Sequence, residues 1–231
     1  MRIKVNLSAT ENELPVHNQH IINSFIHRVL GKDNKYHDAK NNYSVSSLQG
    51  GTLIKDTENI SFKDGGYITI SSLETEFINS ILVGLYTKPF YNDMKVTGIE
   101  FIDEQLYDGW NHFVTLSPFI IKEYVDKHTY SFLTIDKSGF QTKVKEYLIK
   151  KISKIDANLD LSNFDIEIKE NINHKVKKVM VKNVINRANQ CHISILTNKK
   201  VASLLYNIGL GQSTGSGFGT IYKSENHSLY R

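Results

Sequence analysis

GLGQSTGSGFG, residues 209–219, puts five glycines into eleven positions. Such a run lets the backbone take positive φ and come close to a ligand, and its N–H groups can form an anion-binding nest. A P-loop would end in Gly-Lys-Ser/Thr, and no lysine stands there. A dinucleotide fingerprint needs a strand before the glycines and a helix after them. Here the order is reversed. Val201, Leu204, Leu205 and Ile208 give residues 199–208 a helical stripe, Gly209 takes the position after its C-cap, and 218–222 reads as a closing strand. The segment is therefore a phosphate-facing loop or a connector to a last strand.

Working back from the loop, 110–116, 164–168, 176–181 and 191–196 read as strands. A helix over 138–155 carries Phe140, Val144, Tyr147, Leu148, Ile152 and Ile155 inward. The first half repeats the pattern. Ile3, Val5 and Leu7 alternate in a strand, and a helix over 17–30 carries apolar residues at Ile21, Ile22, Phe25, Ile26, Val29 and Leu30. Strands follow at 43–48 and 67–70. A second helix bears the stripe Leu73, Phe77, Ile78, Ile81, Leu82 and Leu85, with Ser71 and Glu74 as its capping box, and 94–102 is a further strand. The predicted class is α+β, with two tandem ferredoxin-like (RRM-like) βαββαβ units, antiparallel sheets and a C-terminal glycine-rich loop. The units span 1–104 and 105–231 and divide in the acidic, turn-prone stretch 103–108. Sheets of this kind can present a face to RNA.

Composition narrows the function. The chain has 231 residues, 40% hydrophobic and 23% charged, which is ordinary for a folded protein. No apolar run reaches the roughly 18 residues that span a bilayer, and MRIKVNLSAT has no apolar signal core. One cysteine, Cys191, excludes a disulfide framework and a thiolate metal cluster. We expect a cytoplasmic protein with no membrane contact. Charge is uneven: residues 171–231 hold 9 basic residues and one acid, Glu225, whereas 1–170 hold 19 basic and 23 acidic residues. Abundant lysine fits an AT-rich gene. The near-absence of acid over the last segment is less readily explained that way, and it suits a surface facing a polyanion.

The C-terminal GLGQSTGSGFGTIY resembles the glycine-rich loop of the RAMP superfamily of CRISPR-associated proteins. More narrowly, the chain resembles the repeat-processing endoribonucleases that mature CRISPR RNA, the "Cas six" family. MRIKVNLS, HNQHIINSFIHRVLG, FVTLSPFII (113–121) and the loop occur in the family's order, so the resemblance spans essentially the whole chain. It implies two ferredoxin-like domains, CRISPR repeat RNA bound over the cleft between them, and cleavage without metal or cofactor. The products implied are a 2′,3′-cyclic phosphate and a 5′-hydroxyl. It also implies a monomer or homodimer, with subunits of a CRISPR effector complex as a second class of partner.

Attack by a ribose 2′-OH needs one group to take its proton and another to protonate the leaving 5′-oxygen. Histidine, with an ordinary pKa near 6.5, suits both roles. His27 lies opposite the apolar stripe of its helix, where His20, Ser24, His27 and Gly31 fall within about 60° of one another. The resemblance matches His27 to the family's acid/base position on this helix, and His37 to its histidine in the following loop. Lys40 is the nearest match to the lysine that stabilises the phosphorane, at a shorter interval than the family's, and Lys35 is the fallback. Tyr36 reads as packing. His17 and His20 could share a metal, but with no third ligand at hand they read as solvated. Cys191 reads as a small buried side chain.

For holding RNA, Lys143, Lys150 and Lys154 align along one edge of the 138–155 helix. In HKVKKVMVK (174–182), Lys175 and Lys177 face one side of a strand and Lys178 and Lys182 the other. The loop contributes Gly209, Gly211, Gly215, Gly217 and Gly219. The runner-up is a non-catalytic RAMP subunit that binds guide RNA. It would share the fold and loop and lack the acid–base residues.

Overall fold

The structure, a computed structural model, describes residues 1–31, 34–36, 42–126, 129–169 and 174–224. Its first half runs β1 (Arg2–Leu7), β2 (Thr10–Pro15), α1 (Gln19–Leu30), β3 (Tyr43–Val45), β4 (Thr52–Leu53), β5 (Asn59–Phe62), β6 (Gly66–Ser72), α2 (Thr75–Thr87), β7 (Phe90–Tyr91) and β8 (Met94–Phe101). Five of these strands form an antiparallel sheet in the order β3-β6-β1-β8-β7. Register follows the alternation: Val5 faces Ile68 on one neighbour and Ile99 on the other, with Ile3, Val5 and Leu7 buried under α1 and α2.

Two details differ from expectation. A three-stranded side sheet, β2-β5-β4, was not legible because TENELP carries one buried aliphatic residue, Leu14, among polar ones and ends on proline. Ser71 does not cap α2. It is buried in β6 and donates to the Asn207 carbonyl at 2.8 Å, while the Ser72 hydroxyl accepts from the Glu74 amide at 3.0 Å.

The second half runs β9 (Gly109–Thr115), β10 (Lys122–Tyr124), β11 (Tyr130–Phe132), α3 (Phe140–Ile155), β12 (Asp165–Ile168), β13 (Lys175–Val181), β14 (Val184–Gln190), β15 (His192–Thr197), α4 (Lys199–Ile208) and β16 (Ile221–Lys223). Its four-stranded sheet has the order β12-β15-β9-β16, which repeats the β3-β6-β1-β8 order of the first. Both are ferredoxin-like. α3 buries Phe140, Val144, Leu148 and Ile152 against this sheet, each contributing roughly 1.5–3 kcal/mol. The strand expected at 176–181 forms but stays outside the sheet. It pairs with β14 in a separate hairpin, because Lys175, Lys177 and Lys178 are exposed and only Val179 on this strand is fully buried.

The two halves interlock. α4 lies across β3 and β6 of the first sheet. Arg2, at the start of β1, is buried; its guanidinium donates to the carbonyls of Ile221 (2.6 Å) and Tyr206 and lies 3.4 Å from the Tyr206 ring centre. Burial pushes its pKa down to about 10. No helix among the described residues is long and apolar enough to cross a membrane.

Candidate functional site

The glycine-rich loop sits where the halves meet. Gly209 ends α4 with its N–H on the Leu205 carbonyl at 2.8 Å, and the Leu210 N–H closes the loop on the Gly219 carbonyl at 2.8 Å. Gln212 N–H bonds the Ile120 carbonyl at 2.8 Å and Gly219 N–H the Pro118 carbonyl at 3.1 Å. Across the junction, Thr214 Oγ1 donates to the Tyr43 carbonyl at 2.8 Å, and the hydroxyls of Ser44 and Thr220 share a hydrogen bond of 2.6 Å. A Cβ on Gly211 or Gly219 would strike the carbonyl of Ile120 or Leu210. These glycines, with Gly209 and Gly217, pack against protein, and Gly215 is buried too. Solvent meets the loop at Ser213, with Gln212 and Ser216 half-buried.

α1 runs beneath this loop. Gln19 and Ile22 lie under Gly217, and Asn23 Oδ1 accepts from Ser216 Oγ at 3.3 Å. His27 follows Asn23 by one turn, half-buried, on the same side of the helix. His37 and Lys40 lie outside the described residues. Lys35 is exposed and paired with Glu76 at 2.8 Å. Tyr36 is buried edge-on to Phe77, with ring centres 4.9 Å apart, so it packs as expected. The described chain resumes at Asn42, one residue before the Tyr43 carbonyl that the loop holds.

The predicted lysines fall into two groups. On α3, Lys150 and Lys154 are exposed, and Lys143 pairs with Glu123 at 2.7 Å. On the β13–β14 hairpin, Lys175, Lys177, Lys178 and Lys182 are all exposed or half-exposed. Lys178 stands directly opposite Arg187, whose guanidinium pairs with Asp136 at 3.4 Å. Burial, and then Lys175, lowers the pKa of Lys177. The hairpin touches the start of α1, where the Met180 amide donates to His17 Nδ1 at 3.3 Å.

Between the two sheets lies a cleft of about 600 Å³ lined by Lys4, which pairs with Glu100 at 3.4 Å, and by Gln49, Tyr67, Glu104, Gln190 and Tyr222. A hollow of about 550 Å³ beside β12 carries Asp108, Asp160 and Asp165, a poor fit for a polyanion. His112 is bonded through Nδ1 to Ser194 Oγ at 2.8 Å, and the Cys191 thiol is buried, its pKa pushed up to about 12. Sequence reasoning missed Lys151, whose ammonium holds the loop. The signal was present: Lys151 follows Val144 by seven residues and so falls on the apolar stripe of α3. It also missed the aromatic residues of β10 and β11.

Two ferredoxin-like folds are thus joined through a buried glycine-rich loop. The family model "CRISPR associated protein Cas6, C-terminal" matches residues 101–222, just over half of the chain. The chain therefore belongs to the Cas6 family of CRISPR-associated RNA-processing and RNA-binding proteins. Solved structures agree in fold. One described as "CRISPR associated protein Cas6" aligns at 19% identity and TM-score 0.79 over 97% of this chain and 99% of its own. A Cas6-related protein from Pyrococcus furiosus aligns at 21% and 0.84, over 98% and 99%. A RAMP protein described as binding different RNA substrates aligns at 20% and 0.83, over 97% and 100%. No curated protein matches the chain.

Proposed function

We propose that this protein is an endoribonuclease that cuts CRISPR precursor RNA within the repeat, without metal, to release guide RNAs. The ribose 2′-oxygen attacks the adjacent phosphorus, the bond from phosphorus to the 5′-oxygen breaks, and a 2′,3′-cyclic phosphate and a 5′-hydroxyl result. His27 and His37 are the acid–base pair: one takes the 2′-OH proton and the other protonates the departing 5′-oxygen. Lys40 offsets charge on the phosphorane oxygens. The observation that carries this reading is the position of His27, one turn from Asn23, the residue on which Ser216 of the glycine-rich loop rests.

RNA is held by salt-dependent phosphate contacts from Lys175, Lys177, Lys178 and Lys182, with Lys150 and Lys154 as a second basic edge. Where RNA meets the glycine-rich loop, Gln212 and Ser213 make the contact. The inter-sheet cleft, with Lys4 and Tyr67, takes unpaired repeat nucleotides.

The test is cleavage of a cognate repeat RNA in EDTA by wild type, His27→Ala and His37→Ala. Each variant should lose at least about 100-fold in rate, and RNA carrying a 2′-deoxy sugar at the scissile nucleotide should stay intact. Wild-type rates in both variants overturn the site. Tight binding without cleavage by the wild type instead indicates a guide-RNA-binding subunit.

A further inference from the structure

The β10–β11 hairpin pairs Lys122 with Phe132 and Tyr124 with Tyr130. Residues two apart on a strand, and residues directly opposite on its partner, share a face. All four side chains therefore stand on one face. Ile121 and Leu133 turn the other way, into the core, followed on that side by Glu123, which Lys143 neutralises. On the outward face, the Tyr124 and Tyr130 rings lie 5.6 Å apart and the Tyr130 and Phe132 rings 5.5 Å apart. Lys122 Nζ stands 4.2 Å from the Tyr130 ring centre and 5.8 Å from that of Phe132. Tyr124 is 59% exposed, and Lys122, Tyr130 and Phe132 are half-buried.

The hairpin adjoins both parts of the proposed RNA path. At its start, the Lys122 amide donates to Gln212 Oε1 of the glycine-rich loop at 3.2 Å. At its end, Asn189 of the basic β13–β14 hairpin donates to the Leu133 carbonyl and accepts from the Ile135 amide, both at 2.9 Å. Three grouped rings with a cation among them, set between two stretches of the proposed RNA path, match what unpaired nucleic acid offers: a flat π-face on every base and a charge on every linkage.

We propose that the outward face of this hairpin, Tyr124, Tyr130 and Phe132 around Lys122, is a stacking platform for unpaired RNA bases beside the glycine-rich loop. This rests on the reading of the chain as an RNA-processing enzyme. The rings take successive bases without reading their hydrogen-bonding edges, and Lys122 meets the phosphate between them.

The experiment is fluorescence anisotropy with a labelled oligoadenosine RNA and an abasic oligomer of the same length, titrated with wild type, Tyr124→Ala, Tyr130→Ala and Tyr130→Phe. Each alanine variant should weaken oligoadenosine binding about fivefold or more, leave binding of the abasic oligomer unchanged and keep the salt slope. Tyr130→Phe should bind as wild type does. Wild-type affinity for oligoadenosine in alanine variants that melt normally overturns the platform and makes the face a candidate for a protein partner. Equal losses on both oligomers also overturn it. A wild type that binds neither oligomer overturns the RNA reading itself, and the platform with it.

Discussion

Lys151 donates from its ammonium to the carbonyl oxygen of Gly211 at 2.9 Å, and the same nitrogen lies 2.8 Å from the carbonyl oxygen of Gly209. This nitrogen sits at the C-terminal end of α4 and clamps the loop that follows, a hydrogen-bonding role that the neutral amine, with two N–H donors, keeps. Burial pushes the pKa of this lysine down to about 7. Lys151→Met should cost about 2–4 kcal/mol by leaving those carbonyls unpaired. The pH dependence has a definite sign. Between about 7 and the unfolded value of 10.5, the unfolded chain binds the proton and the folded one does not, so stability rises with pH in that window. Urea unfolding at neutral and alkaline pH should show the gap between wild type and Lys151→Met widening as pH rises. A constant gap would place the titration elsewhere.

The loop's glycines invite a paired comparison. Gly211 and Gly139 have nearly equal φ, +73° and +72°, yet a Cβ on Gly211 would strike the Ile120 carbonyl while one on Gly139 meets nothing within 4 Å. Gly139→Ala should cost about 1 kcal/mol, the backbone strain alone. Gly211→Ala should cost roughly 3 kcal/mol or more, since a carbonyl already bonded to Gln212 cannot give way. Thermal melting separates the two. Equal costs would mean that the loop is not packed as described.

Charge on the β13–β14 hairpin sets a third expectation. Lys177→Glu with Lys178→Glu should weaken RNA binding and flatten its dependence on salt, the slope falling by about 0.7 for every phosphate that is no longer neutralised. Burial and Lys175 make Lys177 lose its proton earlier than an ordinary lysine. Wild-type affinity should therefore fall faster than that of Lys177→Arg as the pH turns alkaline. An unchanged salt slope in the double variant would remove this surface from the RNA path.

Alternation and helical stripes made the two βαββαβ units legible, and α4 forms over the predicted 199–208. What was not legible depends on contacts distant in the chain. β2 has no alternating pattern and exists because β5 supplies a partner. β13 alternates well enough to pass for a sheet strand, but its lysines keep it from burial. The glycines were visible as a loop, whereas their packing against Ile120 and Leu210 required the fold. His27 could be placed on the polar side of α1 from periodicity, but the Asn23–Ser216 contact one turn before it could not, because 193 residues separate those two.

The Asn23–Ser216 hydrogen bond joins α1 to the loop one turn before His27. If it holds the histidine helix and the loop in register, then loosening it should misplace the proposed acid–base group without removing it. Misplacement of that kind acts on the chemical step more than on binding. Asn23→Ala and Ser216→Ala should each lower kcat on repeat RNA about tenfold, with KM and melting temperature nearly unchanged. The double variant should lose little more than either single one, because both remove the same hydrogen bond. Single-turnover cleavage over enzyme concentrations from below to above saturation gives both the rate at saturation and the half-saturating concentration. A rise in KM with kcat intact would make the pair a binding contact, and additive losses in kcat would show that the two residues act apart.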